Sequence, residues 1–152
     1  MNPSIEDTVN FISCAHHEQY DKGGNPYWWH PVSVMHRLGP DASHEEKLVA
    51  LLHDVLEDTE WTAADLLAAG YSQAVVEAVQ LLTRPEGPTY LDWVRSIVAT
   101  GNRLAIRVKI ADNEDNSSIE RVHYLPAKDQ ERTKRYAKSL AILRPALTAI
   151  AA

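Results

Sequence analysis

A histidine and an aspartate stand next to each other in a strongly apolar segment, at His53 and Asp54. The preceding residues are mainly Leu, Val and Ala, so the segment is predicted to be a helix that is buried over much of its circumference. Burying a carboxylate beside an imidazole costs free energy unless another group compensates it. A divalent cation bound by both side chains would do so, which makes the pair a candidate metal site.

Two more carboxylates, Glu57 and Asp58, follow four residues after this pair. Positions four apart share one face of a helix, so a continuous helix would place Glu57 beneath His53 and Asp58 beneath Asp54. A carboxylate one turn from a metal could orient the attacking water or take its proton. We therefore expect a catalytic role for Glu57 and Asp58, although two acids could also simply end a helix in solvent.

Two residues supply only half of a coordination shell, and His30 and Asp112 are the best candidates for the rest. His30 follows a loop and precedes Pro31, a residue that favours the first turn of a helix. Asp112 is an isolated acid after the apolar segment 106–111. Two histidines and two carboxylates form a mixed nitrogen and oxygen site, which suits Mn²⁺, Fe²⁺, Co²⁺ or Zn²⁺ without selecting one.

Three segments carry these residues in order: Ala15–Pro31, Ala50–Thr59 and Val108–Asn116. In this order they resemble the HD-domain superfamily of metal-dependent phosphohydrolases. They are most similar to the hydrolase domain of RelA/SpoT-type alarmone enzymes and its short stand-alone relatives. The resemblance runs over roughly residues 11–143.

The resemblance implies one catalytic metal ion, with Mn²⁺ as the first choice, bound by His30, His53, Asp54 and Asp112. It also implies removal of the 3′-pyrophosphate of guanosine tetra- or pentaphosphate (ppGpp). Glu57 and Asp58 match the acidic pair that positions the attacking water in that family. Lys22 and Asn116 match residues that contact the nucleotide.

Other basic and aromatic residues could line the same pocket. They are Arg84, Lys109, Arg121 and Tyr136, of which we predict Lys109 and Tyr136 as substrate contacts. We expect the aromatic run Tyr27-Trp28-Trp29 to be wall and core rather than a platform for base stacking, although one ring could serve both purposes. Cys14 is expected to lie in the core.

One departure from the family bears on the substrate. The long alarmone hydrolases usually carry Arg-Lys in the first loop, where the arginine helps to hold the guanine, whereas this chain has Asp21-Lys22, as short relatives can also have. An acid cannot supply the planar cation that stacks on a base. The His-Asn pair usual after the third motif is also changed, to Asp115-Asn116.

These departures leave two alternatives open. One is a phosphohydrolase acting on another nucleotide, such as a deoxynucleotide, NADPH or a nucleoside triphosphate. The other is a metal-bound nucleotide sensor without turnover, against which the retained Glu57-Asp58 pair argues.

The spacing of apolar residues predicts an all-α fold. Apolar side chains recur at intervals of three and four, and no segment alternates as a half-buried strand would. Ser43 with Glu46 predicts a capping box at a helix start. Residues 20–27 are predicted to form a loop because they contain two glycines and a proline. The predicted helices are 4–20, 31–38, 44–58, 63–69, 73–83, 90–99, 102–113 and 127–150.

The whole chain fits one compact HD-type domain of 152 residues. Its 15 Lys and Arg against 21 Asp and Glu disfavour nucleic acid as a partner. A single cysteine, no leader-like N-terminus and no long apolar run predict a cytoplasmic protein without a membrane partner. We expect a small nucleotide as the substrate, and the oligomeric state is left open, a homo-oligomer included.

Overall fold

A computed structural model of the chain describes residues 1–118 and 127–151. Within these ranges the regular structure is helical, and the extended pairing is confined to one bridge between Tyr20 and Pro26. The predicted all-α class is therefore confirmed. In chain order the helices are α1 (Ile5–Ala15), α2 (Trp29–Arg37), α3 (His44–Leu52), α4 (Val55–Asp58), α5 (Ala63–Ala68), α6 (Gln73–Leu81), α7 (Tyr90–Thr100), α8 (Arg103–Asn116) and α9 (Ala127–Ala151).

Several helices begin where a side chain caps them. The capping oxygens of Ser43, Thr62, Ser72 and Thr89 each accept a hydrogen bond from the backbone N–H three residues later. At Ser43 the bond is reciprocal, because the Glu46 carboxylate accepts from the Ser43 N–H at 2.9 Å, as in a capping box. These hydroxyl side chains satisfy N–H groups that the first turn of a helix leaves unpaired.

Helix α3 lies at the centre of the core. Its residues 48–52 are fully buried, and it contacts α1, α2, α6 and α8. Helix α8 buries Ala105, Ile106 and Val108 against the same core, while α9 packs on α7 and α8. Helices α2, α3 and α8 are thus in mutual contact, and they carry the predicted ligands or end beside them. None of the helices in the described ranges is both long and apolar enough to cross a bilayer.

The helix predicted over 44–58 is wrong in one respect, since α3 ends at Leu52 and α4 begins at Val55. The His53 ring nitrogen Nδ1 lies 2.6 Å from the Ala50 carbonyl oxygen and donates to it. The carbonyl groups in the last turn of a helix have no intrahelical partner, and the His53 side chain supplies one of them with a hydrogen-bond donor. His53 and Asp54 therefore lie at a joint between two helices rather than within one.

The first helix is also shorter than the predicted 4–20, because α1 ends at Ala15. Glu18 adopts φ 64°, in the left-handed region that a continuing right-handed helix cannot contain. Cys14, expected in the core, is exposed on this helix. Helix α8 in turn runs beyond the predicted end at 113, to Asn116.

Candidate metal and nucleotide site

The structure brings His30, His53, Asp54 and Asp112 together in one buried cluster. The His30 Nε2 atom lies 2.9 Å from Asp112 Oδ1 and 4.0 Å from Asp54 Oδ2. The His53 Nε2 atom lies 3.1 Å from Asp54 Oδ2 and 3.4 Å from Asp112 Oδ1. Ligand atoms of His30, His53 and Asp54 all lie within 4.8 Å of one another, and Asp112 Oδ1 lies beside both histidine Nε2 atoms.

The other ring nitrogen of each histidine is already engaged. His30 Nδ1 lies 2.7 Å from Asp115 Oδ2, and His53 Nδ1 lies 2.6 Å from the Ala50 carbonyl oxygen. Both partners are acceptors, so Nδ1 carries a proton in each ring, and Nε2 is the nitrogen that can bind a metal once its own proton is lost. Among the described residues, the buried His53 Nε2 makes no hydrogen bond, although two carboxylate oxygens face it. A cation between these atoms would satisfy all of them, so the residues present fit a divalent metal.

The cluster attracts positive charge. Burial lowers the pKa of His53, but Asp54 and Asp112 outweigh it and raise that pKa well above its ordinary value. Burial raises the pKa of Asp112, but Lys109 and His53 together hold it well below its usual range. His53 likewise outweighs burial and lowers the pKa of Asp54, so both carboxylates are ionised at neutral pH. A metal ion would have to displace protons from the imidazoles, which makes metal affinity dependent on pH.

Lys109, predicted as a substrate contact, supports a predicted ligand instead of standing free. Its ammonium is buried, 2.9 Å from Asp112 Oδ2, and lies 4.4 Å from the Trp93 ring centre and 5.0 Å from that of Tyr90. The negative faces of the two rings favour a cation there. Lys109 still lines the cavity described below, but its ammonium is already paired with Asp112.

Two residues that hold predicted ligands were not identified from the sequence. The Tyr27 hydroxyl donates to Asp54 Oδ2 at 2.5 Å, so part of the aromatic run is a polar partner of the cluster rather than only its wall. The Asp115 carboxylate, which binds His30, also accepts from Arg37 Nε at 2.9 Å and from the Ser33 hydroxyl. The sequence offered little to identify them. Tyr27 is the only member of the aromatic run with a hydroxyl, and Asp115 is one of several acids near Asp112.

The acidic pair lies beside the cluster. Carboxylate oxygens of Asp54, Glu57 and Asp58 lie within 4.8 Å of one another. Burial, together with the neighbouring charges of Asp54 and Glu57, raises the pKa of Asp58 to about 6. Glu57 lines the cavity, and one of its oxygens accepts from the Arg84 N–H at 3.1 Å. Glu57 and Asp58 are close to the candidate metal ligands, as predicted. They lie on the short helix α4 after the joint, and not on a continuous helix with His53 and Asp54.

A cavity of about 860 Å³ opens onto the cluster. The predicted contacts Lys22, Asn116 and Tyr136 all line it, and the Asn116 amide donates to Asp112 Oδ1 at 3.1 Å. Several cavity residues were not predicted: Tyr20, Arg37, Arg132 and Arg135. Trp29, which was expected to be wall or core, also lines the cavity. Arg84 lines the cavity as expected, and Arg121 lies outside the described residues. Guanidinium groups around a cavity suit phosphate, which they bind through paired N–H donors.

Asp21 has a local structural role in the loop. Its Oδ1 atom accepts from the Gly23 N–H at 2.9 Å and from the Asn25 N–H at 3.0 Å. An aspartate often closes a turn in this way. The acid that replaces the family's arginine is thus used to fold the loop that faces the cavity.

An all-helical fold with a central His and His-Asp cluster is the fold of an HD-type hydrolase domain. A solved metazoan ortholog of SpoT, described as hydrolysing ppGpp and as having a role in starvation responses, matches with a TM-score of 0.73. The match covers 99% of this chain and 96% of that one at 22% identity. No family model matches the chain.

Two curated relatives carry the description guanosine-3′,5′-bis(diphosphate) 3′-pyrophosphohydrolase. The protein of Aquifex aeolicus is 32% identical over 143 residues, covering 88% of this chain. That of Haemophilus influenzae is 30% identical over 111 residues, covering 67% of this chain. The chain spans 19% and 16% of their respective lengths. These matches place the chain among the SpoT-like hydrolase domains of the HD type.

Proposed function

We propose that the chain removes the 3′-pyrophosphate of guanosine tetra- or pentaphosphate in a metal-dependent hydrolysis. One observation carries the proposal: two histidine Nε2 atoms and two carboxylates converge beside a cavity lined by basic side chains. The activity described for both curated relatives supports this choice of substrate.

His30, His53, Asp54 and Asp112 would hold one divalent cation. We propose Mn²⁺, which the family resemblance implies and which the mixed nitrogen and oxygen donor set suits, as it also suits Fe²⁺, Co²⁺ and Zn²⁺. Such a cation would polarise the phosphate and lower the pKa of the attacking water. Tyr27 and Asp115 hold two of these side chains by hydrogen bonds, at Asp54 and His30. These contacts keep the donor atoms in place before a cation arrives.

Asp58, or its neighbour Glu57, takes the proton from the attacking water. The water oxygen bonds to the phosphorus attached to the ribose 3′-oxygen, and the bond between that phosphorus and the 3′-oxygen breaks. Pyrophosphate leaves and the 3′-oxygen takes up a proton. A base whose pKa is raised to about 6 is still ionised at neutral pH and is a better proton acceptor than an ordinary aspartate.

The remaining predicted contacts bind the nucleotide. Lys22, Asn116 and Tyr136 supply an ammonium, an amide and a hydroxyl to the cavity. Lys109 lines the cavity too, with its ammonium paired with Asp112. Arg132 and Arg135 on α9 add guanidinium groups that suit the phosphates.

The test is release of pyrophosphate from guanosine tetraphosphate in the presence of Mn²⁺. We expect release by the wild type and none by His53→Ala/Asp54→Ala, whereas His36→Ala/Asp41→Ala, at exposed positions, should retain full activity. Release from no guanosine polyphosphate would contradict the proposal. Release from another nucleotide would leave the metal chemistry standing and replace the substrate.

A second candidate is hydrolysis of a different nucleotide, and Asp21 is the observation that favours it. Asp21 stands where the long alarmone hydrolases usually have the arginine that holds guanine. Its carboxylate closes the loop turn instead. A panel containing a deoxynucleoside triphosphate and NADPH distinguishes this candidate. Binding of a nucleotide with metal but without turnover would instead indicate a sensor.

A further inference from the structure

Two aromatic side chains in the cavity remain open to solvent. Tyr20 is 65% exposed and Trp29 is 50% exposed, although both line the cavity. By contrast, Trp93 in the same lining is buried. Large apolar surface inside a ligand cavity usually meets an apolar part of the ligand, because burying it from water is favourable.

The backbones of these two residues are linked through Pro26, and we refer to their two cavity-lining side chains as the aromatic patch. Tyr20 forms a backbone bridge with Pro26, and the Trp29 N–H donates to the Pro26 carbonyl oxygen at 3.1 Å. Trp29 is also the first residue of α2 and directly precedes His30, a member of the cluster. The Trp29 side chain and the cluster residues His30, Asp54 and Asp112 line the same cavity.

In the loop between these residues, the Asp21 side chain cannot stack on a base, and its carboxylate accepts hydrogen bonds within the turn. Most of the cavity's other polar side chains are cations or hydrogen-bonding groups that suit phosphate and ribose. An aromatic ring, in contrast, stacks on the face of any base. The patch therefore has the chemistry of a base subsite.

We propose that Trp29, with Tyr20 beside it, forms the subsite for the base of a nucleotide ligand. The inference rests on the proposed function only in that the ligand is a nucleotide. The base stacks on the indole ring, and the phosphates extend from there toward the cluster and the guanidinium groups of α9. Stacking takes the place of the arginine that the long alarmone hydrolases use.

The experiment measures binding of GDP, a nucleotide with a base, and of inorganic pyrophosphate, which has none, by calorimetry in the presence of Mn²⁺. We expect Trp29→Ala to weaken GDP binding about five- to a hundred-fold, since a stacked base contributes on that scale. Pyrophosphate binding should not change. Trp29→Phe should restore most of the GDP affinity because it retains a ring.

Two further variants make the result specific. Trp61→Phe changes another exposed tryptophan, one outside the cavity lining and in edge contact with Phe11 at 4.8 Å, and should bind GDP as the wild type does. Tyr20→Ala removes a side chain too exposed to support the fold, so it tests the patch even if Trp29→Ala does not fold. We expect it to weaken GDP binding and spare pyrophosphate.

Unchanged GDP affinity in Trp29→Ala and Tyr20→Ala would overturn the inference. An equal loss for GDP and pyrophosphate would also do so, because it would mean that the rings shape the cavity rather than hold a base. Failure of the wild type to bind GDP would overturn it as well. The proposed function is tested separately: GDP binding through Trp29 without release of pyrophosphate from guanosine tetraphosphate would contradict that function alone.

Discussion

His30 and Asp115 lie 85 positions apart in the chain, yet His30 Nδ1 is 2.7 Å from Asp115 Oδ2. The carboxylate fixes the Nδ1–H tautomer and directs Nε2 toward Asp54 and Asp112. The pKa of Asp115 lies below its usual range because its hydrogen bonds with His30, Ser33 and Arg37, and the charge of His30, outweigh burial. A residue outside the predicted ligand set thus orients one of its members.

This relationship predicts the effect of Asp115→Ala. Loss of the carboxylate frees the His30 ring to rotate and to change tautomer, so Mn²⁺ affinity should fall about ten- to a hundred-fold. Calorimetric titration of the purified protein with Mn²⁺ measures it. Asp41→Ala removes an exposed acid and serves as the control. Equal affinities in Asp115→Ala and the wild type would show that Asp115 does not orient the ligand.

Removal of metal should affect stability as well as activity. A cation that binds only the folded chain adds about 2.7 kcal/mol to the free energy of unfolding when its concentration is about 100 times Kd. Thermal denaturation with Mn²⁺ or with EDTA should therefore give clearly different melting temperatures. In His53→Ala/Asp54→Ala the two temperatures should coincide. A Mn²⁺ effect that persists in this double variant would place the metal elsewhere.

The pH dependence of activity should have an acid limb that belongs to Asp58. Its pKa is raised to about 6, so the carboxylate accepts a proton from water above that pH and is protonated below it. A bound cation lowers a nearby carboxyl pKa. At saturating Mn²⁺ we therefore expect kcat/KM to decrease as the pH is lowered, with the midpoint of the decrease at a pH of about 6 or below. Asp58→Asn should lower kcat and remove this limb, and a limb unchanged in the variant would assign it to another group.

Metal affinity should also decrease at low pH, for a different reason. The pKa values of His30 and His53 are raised, since their carboxylate neighbours outweigh burial, so both rings bind protons more readily than free histidine. These protons compete with the metal, and Mn²⁺ affinity should rise with pH until both rings are neutral. Calorimetric titrations with Mn²⁺ at several pH values measure this dependence, which reports the protons released on binding. An affinity that does not change with pH would contradict the two-histidine site.

The core prediction concerns Leu51, which is fully buried in α3. Leu51→Ala leaves a cavity next to the joint and should lower the free energy of unfolding by about 2–5 kcal/mol. Leu67→Ala is the matched control, because that leucine is 43% exposed, and it should change stability by less than about 1 kcal/mol. Urea denaturation compares the two, and similar losses would contradict the described packing.

The sequence was sufficient to predict most of the helices and the four candidate ligands that the structure brings together. Apolar spacing and hydroxyl caps such as Ser43 are local signals, and they located most helices. His30, His53, Asp54 and Asp112 were identifiable because isolated polar residues in apolar segments are unusual and because their order resembles a known family. That the structure brings them together agrees with this prediction, while their role as ligands stays a prediction.

What the sequence could not predict depends on contacts between distant side chains. The joint after Leu52 coincides with a hydrogen bond from the His53 ring to the Ala50 carbonyl, a choice of rotamer with no signature in the pattern. Tyr27 holds Asp54, and Lys109 is occupied by Asp112 and two rings, only because the helices pack as they do. Residue type alone could not distinguish these partners from cavity wall or substrate contacts.

The predicted metal ligands and the rest of the cavity wall are carried largely by different parts of the chain. The four ligands belong to α2, the α3–α4 joint and α8, whereas Tyr20 and Lys22 lie in the loop before α2 and Arg132, Arg135 and Tyr136 lie on α9. Under the proposed function, substitutions in the loop or on α9 would alter which nucleotide is accepted while the predicted cation site is retained. Such a division would allow natural selection to change the substrate without rebuilding the chemistry.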